Sequence, residues 1–64
     1  MKNTVRNWRV FLGFTQEDLA QRVGVSRQAI YSIESGKYNP SVELALKISK
    51  ELGKPIEELF HLED

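Results

Sequence analysis

Apolar residues recur along this chain at steps of three and four, and glycine or proline breaks the rhythm wherever a segment has run its length. Val5, Trp8 and Leu12 predict a first helix over about residues 2–12, with those three on its inner face, Gly13 at its end and Phe14 returning to the core. Thr15 is a suitable N-cap, and Asp18 three positions later completes a capping-box variant for a second helix over about 16–23. Leu19 and Val23 form its apolar stripe, and Gly24 supplies the left-handed residue that ends it. Ser26 caps a third helix, about 26–35, whose inward residues are Ala29, Ile30 and Ile33 and which stops at "SGKYNP". Pro40 and Ser41 open a fourth, with Val42, Ala45, Ile48 and Leu52 on one face and Glu43, Lys47 and Glu51 as i, i+4 charge pairs on another. Gly53 closes it. The last pattern, "PIEELFHL", places Ile56, Leu59 and Phe60 on one side of a helix short enough to need tertiary support. No strand, repeat or linker is predicted. The expectation is an all-α single domain over residues 1–64, five short helices around one core.

The stretch "TQEDLAQRVGVSRQAIYSIESG" is the most specific signal. Two helices meet at Gly24 with almost nothing between them; Leu19, Val23, Val25, Ile30 and Ile33 all point into the angle, and Ala20 is small where the helices cross. Such agreement over about residues 16–35 predicts a helix-turn-helix with its helices nearly perpendicular. Arg27, Gln28 and Ser32 are left on the outer side of the second of them.

With 64 residues the chain is one small domain at most, and 41% hydrophobic with 28% charged residues is the composition of a folded protein. No cysteine is present, so packing alone must hold it. The lone histidine, His61, lacks companions at ligand spacing, which predicts a surface residue and no metal site or cofactor. No nucleophile, base and orienting group come together, so an enzyme is not expected. The first residues lack a signal-peptide run and no stretch approaches a membrane span, which predicts a cytoplasmic protein with no membrane partner; separately, no small-molecule ligand is evident. The net charge is zero, yet residues 1–40 carry six Lys and Arg against three acids and residues 41–64 the reverse. The basic half is suited to a polyanion.

Through "TQEDLAQRVGVSRQAIYSIESGKYNPS" and the flanking "VRNWR" and "LALKISKELG", the chain resembles the XRE-type helix-turn-helix family, which includes the phage repressors. The resemblance implies a lambda-repressor-like DNA-binding domain, a recognition helix at about 26–35, and a sequence-specific transcriptional regulator, a repressor, acting as a homodimer on a palindromic site in double-stranded DNA. Arg27 and Gln28 then match guanine and adenine edges in the major groove, with Ser32 and Tyr31 as the next base-reading candidates. Gln16, Ser26, Lys37, Tyr38 and Asn39 fall where such domains grip the DNA backbone. Arg9 and Glu34 match a structural ion pair, and Ile56, Leu59, Phe60 and Leu62 a dimer interface. Trp8 stands where relatives carry leucine and is expected to fill core volume. Pro55 replaces a serine N-cap. Val10 and Phe11 lie off the inner stripe, where Phe60 and Leu62 are expected to cover them. The alternative is a protein-interaction module using Val10, Phe11 and the C-terminal apolar face, since a fold does not fix a function.

Overall fold

A computed structural model describes residues 1–63. It contains β1 (Lys2–Asn3), α1 (Val5–Phe11), α2 (Gln16–Val23), α3 (Arg27–Glu34), α4 (Val42–Leu52), α5 (Ile56–Leu59) and β2 (Phe60–His61). The helix boundaries follow capping chemistry. Thr15 is extended; its hydroxyl accepts from the Asp18 N–H at 3.0 Å while its own N–H donates to the Asp18 carboxylate at 2.9 Å, a complete capping box. Ser26 and Ser41 accept in the same way from the N–H groups of Ala29 and Leu44, starting α3 and α4. Gly24 ends α2 at φ 76°, a conformation that side chains with a Cβ rarely adopt, and hands the chain to Val25 within one residue.

The five helices enclose a core whose fully buried members are Val5, Leu19, Ile30, Ile33, Ile48 and Leu59, drawn from every helix. Phe14, Val25, Phe60 and Trp8 pack against its edge. Trp8 is half-buried, with Phe11 edge-on at 5.8 Å between ring centroids and the Lys54 ammonium 4.1 Å from its ring centre.

Three expectations require correction. The chain does contain strands: β1 and β2 pair antiparallel, Lys2 opposite His61 and Asn3 opposite Phe60. Two residues are too short to show an alternating pattern, and the pairing is set by the meeting of the two chain ends. It also fixes where α1 begins, since Lys2 and Asn3 are committed to the ladder and the helix starts only at Val5. Leu12 is 43% exposed, because α1 stops at Phe11 and the turn through Gly13 brings Phe14 inward in its place. Val42 is 76% exposed: at about 100° per residue it lies a quarter turn from the line through Leu44, Ala45, Ile48 and Leu52, which are the buried residues of α4.

Candidate nucleic-acid interface

The site is built on an ion pair beneath the surface. Arg9, 7% exposed, donates from Nε to Glu34 Oε2 at 2.7 Å, from Nη2 to Glu34 Oε1 at 3.2 Å, and from Nη1 to the Phe14 carbonyl at 2.7 Å. Glu34 Oε1 accepts a further bond from Gln16 Nε2 at 3.2 Å. The carboxylate at the end of α3 thus ties α1 to the first residue of α2, and Arg9 adds the loop entering α2. A two-pronged, charge-assisted arrangement of this kind fixes angles as well as distances. No buried side-chain polar atom among the described residues is left without a partner.

Above this floor lies an open cleft between α1 and α3. Gln16, Arg27, Gln28 and Tyr31 line it together, with Arg6 and Val10 forming the α1 wall. Arg27 and Gln28 are exposed at the first two positions of α3, and Tyr31, one turn on from Arg27, is 47% exposed. Ser26 spends its hydroxyl oxygen on the Ala29 N–H as the N-cap of α3. Ser32 is only half-buried, and its carbonyl accepts from Lys37 N, Tyr38 N and Ser35 Oγ at 3.0 to 3.2 Å. Those bonds hold the loop that carries Lys37, Tyr38 and Asn39, all exposed, at the far end of α3 and outside the cleft. Seven of the nine predicted base-reading and backbone residues therefore form two groups, Gln16, Arg27, Gln28 and Tyr31 along the cleft and Lys37, Tyr38 and Asn39 in the loop, while Ser26 and Ser32 lie in neither. Arg6 was missed because a single cation on the outside of a helix is an ordinary surface residue, and only the packing of α1 against α3 brings it to the cleft.

The ionisation of Asp18 is shifted by its place in the capping box. Hydrogen bonds from the Thr15 backbone and hydroxyl, with a smaller contribution from the Arg22 charge, hold its carboxyl below the usual aspartate range against a weak opposing effect of burial.

The C-terminal apolar face differs from expectation. Leu59 is fully buried in the core of its own chain, so it has no surface to offer a second copy. Its place in the stripe of α5 was correct; the use assigned to it was not. Ile56 and Phe60 are half-buried and Leu62 is 86% exposed. Val10 and Phe11 are 57% and 77% exposed, so Phe60 and Leu62 do not cover them; Phe60 is turned to the core and held in β2. Val42 and Leu46, the latter 55% exposed, add an apolar pair on the outer side of α4. His61 is exposed, its Nε2 3.2 Å from the Glu58 carbonyl. No helix among the described residues is long and apolar enough to cross a membrane.

Residues 5–59 match the helix-turn-helix family. The whole chain is 53% identical, over 64 residues and 97% of the relative's length, to an uncharacterized HTH-type transcriptional regulator of Methanocaldococcus jannaschii. It is 47% identical, over the same lengths, to the uncharacterized HTH-type transcriptional regulator YgzD of Bacillus subtilis. Among solved structures it is similar to the restriction-modification controller protein C.AhdI of Aeromonas hydrophila, with a TM-score of 0.80 and 34% identity over 88% of this chain and 85% of that one. Capped helices joined at Gly24, an α3 with an open polar start, and these relationships agree: the chain belongs to the XRE-type helix-turn-helix family of transcriptional regulators, and this motif is its DNA-binding element.

Proposed function

We infer that the protein is a repressor that binds a palindromic operator as a homodimer, with α3 in the major groove. The observation that carries this reading is the exposure of Arg27 and Gln28 side by side at the start of α3, with the buried Arg9–Glu34 pair holding α3 from behind. A guanidinium reads guanine O6 and N7 and an amide reads adenine N6 and N7, and residues at the start of a recognition helix reach deepest into the groove. Gln16, Ser26, Lys37, Tyr38 and Asn39 serve the backbone and set the register of the helix on the duplex. Tyr31 and, from its half-buried place, Ser32 complete the base-reading face.

A chain this small makes few base contacts, and two-fold symmetry doubles them across successive grooves about 34 Å apart. The second copy is met by Ile56, Phe60 and Leu62, with Val42 and Leu46 as further apolar candidates, while Leu59 supports them from within. Repression follows from occupancy, since a dimer seated across two grooves denies that DNA to other proteins.

Selection of bound sites from random duplexes tests the reading. Arg27→Ala and Gln28→Ala are each expected to erase preference at one base position per half-site, removing about 1–3 kcal/mol of discrimination. Unchanged preference in both variants would remove these residues from base reading, and recovered sites without two-fold symmetry would remove the homodimer. The exposed Val10 and Phe11 favour a second reading, a protein-interaction module; absence of salt-dependent binding to duplex DNA at low salt would select it.

A further inference from the structure

We propose that Arg6 is an additional contact to the DNA backbone, receiving the phosphate strand that runs along the cleft between α1 and α3; this rests on the DNA-binding reading above. Arg6 is exposed on α1 and lines the same cleft as Gln16, Arg27 and Tyr31. The four ion pairs among the described residues, Met1–Glu63, Arg9–Glu34, Arg22–Glu51 and Lys47–Glu43, leave it uncompensated. The other arginine of α1 has the opposite character: Arg9 is buried and neutralised by Glu34, so the cleft floor carries no net charge. The exposed charges around the cleft are then Arg6 and Arg27 against Glu17, whose carboxylate accepts from Gln21 Nε2. The balance is cationic.

Geometry assigns Arg6 to phosphate rather than to bases. With α3 inserted in the major groove, the two sugar-phosphate strands flank it. A cation held on a neighbouring helix, across the cleft from α3, therefore faces a strand and not the groove floor. Gln16, at the start of α2, lines the same cleft and serves the same strand in the reading above. A guanidinium suits this use because it is permanently charged and can present two N–H groups to a pair of phosphate oxygens. A contact of this kind adds affinity without sequence information.

The test is fluorescence anisotropy of a labelled duplex carrying the selected site, and of a random duplex, titrated with the full chain between 50 and 200 mM NaCl. Arg6→Ala and Arg6→Gln are compared with wild type and with Lys50→Ala, an exposed cation of α4 outside the cleft; circular dichroism verifies that each is folded. Each phosphate contact contributes about 0.9 to the slope of log affinity against log salt. Both Arg6 variants remove one contact from each copy of the homodimer and should therefore lose about 1.8 of slope on either duplex, so that the fourfold rise in salt weakens them about 12-fold less than wild type. Base preference should stay as in wild type, and Lys50→Ala should keep the full slope. Wild-type binding with an unchanged slope in the Arg6 variants would overturn this assignment alone, as would a change in base preference. Wild type that fails to bind any duplex at low salt would overturn the DNA-binding reading itself.

Discussion

The helix-turn-helix and the paired chain ends solve the same problem in different ways. Between Thr15 and Glu34 every helix terminus is finished by a residue within a few positions of it: Thr15 with Asp18, Ser26 with Ala29, Gly24 turning back to Ala20. At the chain ends local devices are fewer, the bond from Val5 N to Asn3 Oδ1 being the one side-chain cap at the start of α1. Thr4 and Pro55 offer α1 and α5 no side-chain cap. Instead, Thr4 N donates to the Leu59 carbonyl at 2.8 Å, Thr4 Oγ1 donates to the Glu58 carbonyl at 2.6 Å, and Asn3 and Phe60 pair in the ladder. Asn3 reaches further, its Nδ2 donating to the Ile33 carbonyl near the end of α3 at 2.8 Å while its Oδ1 accepts from Val5 N. One region is held by neighbours in sequence; the other is held by residues that only the finished fold brings together. Weak helices are viable here because the opposite end of the chain supplies their missing partners.

The contrast breaks most severely at Glu34, where the helix-turn-helix itself depends on a distant residue. Its side chain is 4% exposed and that of Arg9 9% exposed, so Glu34→Ala leaves a buried guanidinium with the Phe14 carbonyl as its remaining acceptor. A loss of about 3–5 kcal/mol in urea unfolding is expected. Replacing both charges, Arg9→Met with Glu34→Leu, should recover most of it, because the cost comes from the stranded charge and not from the missing attraction. A loss below about 1 kcal/mol would place the pair with solvent-screened surface bridges.

A smaller effect is expected at the chain ends. Asn3→Ala removes two hydrogen bonds and frees a carbonyl near the end of α3, which should cost about 1–2 kcal/mol by the same measurement. Hydrogen exchange sharpens the comparison: amides of Thr4 and Phe60 should lose protection well before those of Leu19 and Ile30. Equal protection in both sets would mean that the ends do not open separately from the core.

The same distinction explains what was legible in the sequence. The caps at Thr15 and Ser26, the turn at Gly24 and the inward set Leu19, Val23, Ile30 and Ile33 are local signals, and the structure has them as expected. The polar start of α3 was legible for the same reason, since Arg27 and Gln28 follow directly from the position of the Ser26 cap. The strands, the late start of α1, the burial of Leu59 and the uncovered Phe11 were not legible, because each depends on where the two ends of the chain meet. Arg6 belongs with these: its place on the cleft depends on how α1 lies against α3, which no spacing within α1 records.

The smallest expected effect lies within the local region and concerns charge at a cap. The Thr15 hydrogen bonds hold the Asp18 carboxyl below its ordinary range in the folded protein, whereas the unfolded chain returns it to about 3.9. The unfolded state therefore binds the proton more tightly, and the ionised form favours folding. This contribution is fully present above the unfolded value and is lost as the pH falls through the lower folded value. Asp18→Asn keeps a hydrogen-bond acceptor at the position but removes the charge, so its melting temperature should fall short of wild type at neutral pH. The gap should begin to shrink as the pH drops below about 4 and close once it falls below the lower folded value, where both proteins are uncharged at residue 18 while every other carboxylate titrates alike in the two. Thermal melts followed by circular dichroism at stepped pH measure that gap directly. A difference that persists unchanged into acid would mean that the capping box acts through hydrogen-bond geometry alone, and that the negative charge at the start of α2 contributes nothing to the fold.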